Sequence, residues 1–464
     1  VTHRLLKPAA LVLASRLAAP AFAFDWGASV EESTTGDFPV SKMEQGTVDQ
    51  SFILRGWAAW SLGPRSTLLV KANLTDTLEV SLAQGNPITN TFSGDLDTLS
   101  WTTDLFVVGR TSFRDFDGAL LNTTLDGVKG QFRTAVAGVD LDLKGGLGTS
   151  ALVFKTGSTI AISQDDNNER NTVADLTKPG TLLAPPRLVA YAEAGVPRLV
   201  PGQSFRTALA AQLDLRGKVA KADENQNPTD STAPGAPVSM GYWGVGGSGR
   251  ITGPFFWSAA SWLGLGSSLT PVGTYKPGIT PTYPSWKPNL IANAFASADL
   301  TVLQPAWAST VAGFGLQFGS WDEDGAYPQN NKASGGSASA YTGWFGISLT
   351  APAVVYNPQP TNLVQAKGYW SVKPFGGTRG LFDSLQVVGT LIASMRPTTN
   401  PISDSKLIAL NNELYLGTEA DVSLQWRPVS DWGVHLSAGT FLPNTAALNR
   451  SLEVKALLGL NLSF

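Results

Sequence analysis

Cysteine is absent from this chain of 464 residues, which excludes a disulfide framework, a thiolate metal site and a cysteine nucleophile. Histidine occurs only as His3 and His435, so a His-rich metal centre is excluded as well. A Ser-His hydrolase would have to use His435. Ser437 is near it in sequence, but no G-x-S-x-G elbow surrounds the pair, so the chain reads as no enzyme and implies no cofactor or metal. Charge is also scarce: 15% of residues are charged, against about 25% in an ordinary soluble protein. The net charge of −3 gives no basic surface for nucleic acid. Long hydrophobic runs are missing too. No stretch after the first 25 residues stays apolar over the ~20 residues a membrane-crossing helix needs.

Hydrophobic residues nevertheless make up 43% of the chain, and Gly (48), Phe (21) and Trp (14) are plentiful. Strands, tight turns and interfacial aromatic belts use such residues. The start reads as an export signal over residues 1–23: Arg4 and Lys7 are basic, Ala9 to Ala14 and Leu17 to Ala23 are apolar, and Ala21, Phe22 and Ala23 have the small-x-small cleavage form. Residues 24–49 then read as an N-terminal periplasmic or plug-like extension, and residues 50–464 as the main body.

Alternation is the main signal in that body. From Leu452 onward, one face carries Leu452, Val454, Ala456, Leu458, Leu460, Leu462 and Phe464, and the other carries Glu453, Lys455, Leu457, Gly459, Asn461 and Ser463. Side chains of a strand point alternately to its two faces, so this segment presents one face to hydrocarbon and one to a more polar medium. Glu413 to Arg427 repeats the pattern with Leu414, Leu416, Ala420, Val422 and Leu424 opposite Glu413, Glu419, Asp421 and Arg427. Phe205 to Arg216 and Val364 to Pro374 do the same. Such segments match the 9–11 residues a strand needs to cross a bilayer, about twice the length of sandwich strands. Backbone groups cannot be left unpaired in lipid, so long amphipathic strands must close on themselves. The fold class is therefore all-β, a single transmembrane antiparallel β-barrel of about 16 to 18 strands.

Connection lengths support this, because barrels of this kind alternate short periplasmic turns with longer outer loops. Long Thr111 to Gly127, short Lys144 to Gly148, long Gln164 to Pro186, short Pro197 to Gln203 and long Val219 to Pro237 are followed by short Thr252 to Pro254, long Ser267 to Pro288, short Gln304 to Ala306 and long Trp321 to Ser337. Three strands read between Ser339 and Leu410, near Ala340 to Leu349, Val364 to Pro374 and Leu385 to Met395. That number breaks the phase with the C-terminal connections, short Pro428 to Asp431 and longer Pro443 to Arg450. One strand in this stretch is missing or superfluous.

The export signal, the alternating strands and the terminal Leu460, Asn461, Leu462, Ser463 and Phe464 resemble Gram-negative outer-membrane proteins, whose last strand ends in Phe. The resemblance implies the cell outer membrane as location, its lipid as surroundings, and the barrel-assembly machinery as a partner reading Leu460, Leu462 and Phe464. A narrower resemblance is to porins that include alginate-export channels. It rests on Val108, Gly109 and Arg110 with Asp117 to Leu121 and Leu125 to Val128, and on Gly417 to Val422 with Trp426, Arg427, Pro428 and Phe441 to Pro443.

A barrel of this size holds water, so inward charges stay solvated and bias what passes. The candidates for the pore lining are Arg110, Arg114, Asp115, Asp117, Arg206, Asp214, Arg216, Lys367, Lys373, Glu413, Glu419, Asp421, Arg427 and Glu453, with Lys455 beside them. Both signs occur, which suits a path for polar solutes more than a filter for one ion. If the segment from Arg110 to Arg133 folds inward, as the porin resemblance implies, it narrows the pore; the alternative is a solvated outer loop whose charges pair internally. The sequence thus reads as a porin passing small hydrophilic solutes by diffusion, with a surface adhesin or scaffold of occluded pore as the alternative.

Overall fold

The computed structural model describes residues 24–83, 88–150, 160, 187–215, 238–272, 285–305, 309–322, 342–348, 353–378, 380–400, 402, 411–448 and 450–464. Eighteen antiparallel strands form one closed sheet in which every strand pairs with its neighbours in sequence and the last with the first. They are β1 (Phe24–Pro39), β2 (Thr47–Gly63), β3 (Ser66–Ser81), β4 (Thr89–Thr103), β5 (Phe106–Arg114) and β6 (Asn122–Val136). Next come β7 (Val139–Thr149), β8 (Arg187–Val200), β9 (Gln203–Asp214), β10 (Ser239–Thr252), β11 (Phe255–Val272) and β12 (Ser285–Gln304). The circle is completed by β13 (Thr310–Gly319), β14 (Leu363–Val372), β15 (Gln386–Met395), β16 (Tyr415–Val429), β17 (Trp432–Pro443) and β18 (Glu453–Ser463).

The barrel begins at Phe24 rather than Gln50. Residues 24–39, expected as an extension, pair with β2 from Phe24↔Trp60 to Asp37↔Thr47 and with β18 from Ser29↔Ser463 to Pro39↔Glu453. Without β1, the polar backbone edges of β2 and β18 would both lie open to lipid. Two readings near the middle also change. The glycine-rich 144–148, expected as a turn, lies inside β7, and the chain reverses instead at Ala137 and Gly138. The superfluous strand is Ala340 to Leu349: its described part, 342–348, lies inside the barrel as a non-strand segment. With it removed, the short and long connections alternate in one phase around the circle, except that residues 373–385 between β14 and β15, at the end of the short turns, form a long connection.

The outer surface is apolar. Leu458 and Leu462 of β18, Phe464 just after it, Val422 of β16, Trp370 of β14 and Phe205, Leu209 and Leu213 of β9 are all exposed on it. Leu460 is half-buried. Leu416, expected on the same lipid face, is instead fully buried. The register shifts opposite Ser394 and Met395 leave Leu416 as the extra residue between Tyr415 and Gly417, and a bulge of this kind re-aims a side chain. Trp426 and Trp432 stack into one aromatic group with Phe375 and Phe382 at the end of the short turns, where indoles favour the membrane interface.

Candidate functional site: the constricted lumen

The lumen narrows where β5 and β6 leave the wall. β4 and β5 pair only from Thr102↔Val107 to Leu99↔Arg110, whereas β5 and β6 stay paired up to Arg114↔Asn122. The hairpin therefore bends inward at Gly109, whose φ is +115° and whose missing Cβ would lie 2.1 Å from the Leu99 carbonyl oxygen. Only glycine fits there. Arg110 fills the resulting cleft. Its Nε donates to Asp126 at 3.0 Å, and its Nη1 donates to the Leu96 carbonyl at 2.6 Å and faces Asp95 at 3.4 Å. One buried guanidinium so joins β4 to β6 where backbone pairing between β4 and β5 stops.

The tip of the hairpin, residues 115–121, is built around Asp115. Its carboxylate accepts backbone N–H bonds from Asp117 (3.0 Å), Leu120 (2.9 Å), Leu121 (2.7 Å) and Gly118. Burial and the neighbouring Asp117 push the carboxyl up to about 8, while the donors of Leu121 and Gly118 pull the other way. Leu120, Leu121 and Leu125 are fully buried and join an apolar cluster inside the barrel with Phe113, Tyr242, Trp262, Phe295, Trp344 and Ile347. Phe116 stacks on Trp262 at 5.0 Å, and the Trp262 indole N–H reaches Asp117 at 3.3 Å.

A second inward segment, residues 342–348, lies against this tip. Ile347 and Ser348 donate to the Leu120 carbonyl at 2.8 and 3.1 Å, and Trp344 stacks on Phe295 at 5.3 Å. The same connection then docks on another part of the wall. Val355 and Tyr356 donate to the two Glu419 oxygens at 2.6 and 2.7 Å, and Val354 donates to Asp421 at 3.3 Å. Tyr356 stacks on Phe441 at 4.3 Å with Arg450 over both rings. The chain between β13 and β14 therefore bridges the hairpin tip and β16.

The expected lining residues divide accordingly. Arg114, Asp117, Arg206, Lys373 and Arg427 border cavities of the lumen. Lys367 lies over the Tyr369 ring at 5.8 Å. Four others are withdrawn from the water path by their partners: Arg110 in its cleft, Asp115 under its loop, Glu419 beneath Val355 and Tyr356, and Asp214, which pairs with the buried Arg187 at 3.1 Å. Asp421 is shared with the docked segment. Glu413 is exposed beyond the start of β16, and its carbonyl accepts from Arg396. Glu453 pairs with Arg450, and Lys455 stands in register with Asp37. Arg216 lies outside the described residues. Ser437 Oγ does lie 2.7 Å from His435 Nε2, and Ser423 Oγ 2.7 Å from Ser437, as a short chain of polar groups on the inner wall.

Several residues that shape this lumen escape a reading of charge alone. Arg187 donates to Gln212 at 2.8 Å while fully buried. Arg396 holds the outer connection after β15 by donating to the carbonyls of Glu413, Thr399 and Asn411 at 2.7, 2.9 and 2.6 Å. Trp262 and Trp344 carry no charge at all. The available signal for the last two was the loss of alternation around them, where both faces of the strand or loop are apolar.

No family model matches this chain, and no curated protein matches it. Its fold is similar to that of solved structures from Pseudomonas aeruginosa. The outer membrane protein opdK has a TM-score of 0.51 at 12% identity, over 95% of this chain and 99% of that one. OccK7 (OpdD) has a TM-score of 0.52 at 10% identity, over 95% and 98%, and OccK8 (OprE) one of 0.51 at 14% identity over the same shares. At such identities the likeness concerns the architecture, and it covers nearly the whole chain: the fold is that of an outer-membrane β-barrel.

Proposed function

We propose that this protein is an outer-membrane porin that passes small hydrophilic solutes by diffusion. The observation that carries the reading is the contrast between an apolar exterior and a polar interior that is narrowed but not filled. Cavities of about 460 and 660 Å³ remain along the lumen, lined by Arg206 and Asp117 in one and by Glu31, Lys373, Arg427 and His435 in the other. A sheet of eighteen strands encloses more space than its own side chains occupy, and the inward segments take up part of it. Arg114, Asp117, Arg206, Lys367, Lys373 and Arg427 are the lining residues we assign to the path. The remaining candidates hold the wall and its loops.

In the same reading residues 1–23 direct export, and the last strand with Leu460, Leu462 and Phe464 is what the assembly machinery recognises. The alginate-export assignment is not carried forward, since none of the similar structures above supports it. Liposome swelling tests the proposal: proteoliposomes should swell in small neutral and charged solutes at rates that fall with solute size. Heat-modifiable, folded protein that leaves the liposomes impermeable would return the adhesin or scaffold reading.

A further inference from the structure

The cavity of about 460 Å³ lies beneath the hairpin tip, against the inner wall of β9 to β13. Its polar lining is set by register. Ser204, Ser248, Ser258 and Asp299 stand opposite one another on β9, β10, β11 and β12 and form one row across four strands. The next row is Arg206, Gly246, Ala260, Ser297 and Gln317 on β9 to β13. Its small central residues recess the wall between a guanidinium at one end and an amide at the other. A Cβ on Gly246 would sit 2.5 Å from the Phe116 ring, so the tip closes down onto the wall at that point. Asp117 and Ala119 of the tip, with Pro360 just before β14, complete the lining.

The chemistry of this lining selects among solutes. It holds two carboxylates, Asp117 and Asp299, and one guanidinium, Arg206, which is already shared with Glu193 at 3.5 Å. An anion would face the two carboxylates, and a cation that met them would leave the donors of Arg206 at the other end of the row without an acceptor from the solute. A neutral molecule with many hydroxyls meets no such penalty, because each hydroxyl both donates and accepts. Carboxylates accept from it, the guanidinium donates to it, and the serine hydroxyls rotate to either role. Ser204 and Ser248 already exchange a hydrogen bond at 2.9 Å, which a ligand hydroxyl can replace. Phe116, Ala260 and Pro360 offer apolar contact to the C–H surface of a sugar ring. The volume lies within the range of small-molecule sites, about 300–1,000 Å³.

We propose that this cavity is a binding subsite for a neutral polyhydroxylated solute of mono- to disaccharide size. The proposal builds on the porin reading by giving that pore a class of solute, and its test is separate from conduction. Calorimetric titration of the detergent-solubilised, heat-modifiable protein with sucrose should give a saturable signal. Asp299→Asn should raise the Kd about ten-fold, the effect of weakening one charged hydrogen-bonding group, and Ser258→Ala should raise it less. Thr77→Ala, on the opposite wall, should leave it unchanged. The absence of saturable heat with sucrose would overturn the proposal, as would an Asp299→Asn variant that folds and binds like the wild type. Tighter binding of gluconate than of sucrose would overturn the neutral class. Potassium chloride conductance of the same preparation reports on the porin reading alone, whatever the titration shows.

Discussion

The last strand and the outer half of β10 and β11 show two ways a barrel strand meets its interior. In β18 the outward residues Leu458 and Leu462 are exposed to lipid, while Leu457, Gly459 and Asn461 border a cavity of the lumen. In β10 and β11 the outward residues Trp243, Val245, Leu263 and Leu265 are exposed in the same way, but the inward Met240, Tyr242 and Trp262 are buried against Leu120 and Trp344. The first strand borders water; the second borders protein. Inward loops build a second apolar core, and where the wall meets it through large apolar residues, as at Met240, Tyr242 and Trp262, the polar half of the pattern is lost.

That contrast predicts where substitutions act. The largest effect is expected where the wall splits. Arg110→Ala leaves Asp95 and Asp126 in the cleft without their cation, at a cost of about 3–5 kcal/mol, and should be seen as a lowered unfolding midpoint in denaturant. Trp262→Ala removes the centre of the inner core at a similar cost, about 3–5 kcal/mol. Unlike Arg110→Ala, it should also raise single-channel conductance, because the hairpin tip loses its platform. If conductance is unchanged in folded Trp262→Ala protein, the inner core does not set the width of the pore.

On the wet side, the two faces of β18 should respond differently. Leu458→Arg places a charge in lipid at about 2–4 kcal/mol near the bilayer midplane and should deplete the protein from outer membranes. Leu457→Arg, facing the lumen, should assemble normally. Equal depletion would show that the phase of the strand is wrong. A smaller effect is expected from Glu419→Gln, which weakens the hydrogen bonds to Val355 and Tyr356 by about 1.5–3 kcal/mol at most. It should appear as more frequent open-state fluctuations without loss of fold.

The same contrast explains what could be read from the sequence. Strands β9, β14, β16 and β18 show their alternation directly, and with it the barrel and its lipid face, because their inward residues are mostly polar or small whether they meet water or, like Ala208, Ala210 and Glu419, an inward segment. The first strand was missed because Glu31, Glu32, Ser33, Thr34 and Thr35 are consecutive polar residues, yet β1 is held between two neighbours by backbone bonds that carry no side-chain signature. Residues 342–348 were misread as a strand because apolar side chains that pack inside a barrel look like those that face lipid. Charge located the region of the constriction but not the roles within it. Arg110, Asp115 and Arg114 are close in sequence, but the bend at Gly109 sends the first into the wall and the second under the loop, and leaves only the third beside a cavity.

This separation gives the smallest predicted effect. Arg114→Gln should shift reversal potential away from anions by a modest amount while the protein remains as stable as the wild type; an unchanged reversal potential would remove Arg114 from the path.

The most direct measurement of the central claim is single-channel recording of the purified wild-type barrel in a planar bilayer. A lumen narrowed by the hairpin tip and by residues 342–348 and 353–362, with cavities left open along it, should give stepwise openings and a steady ohmic current. Silent bilayers after insertion of folded, heat-modifiable protein would contradict the account.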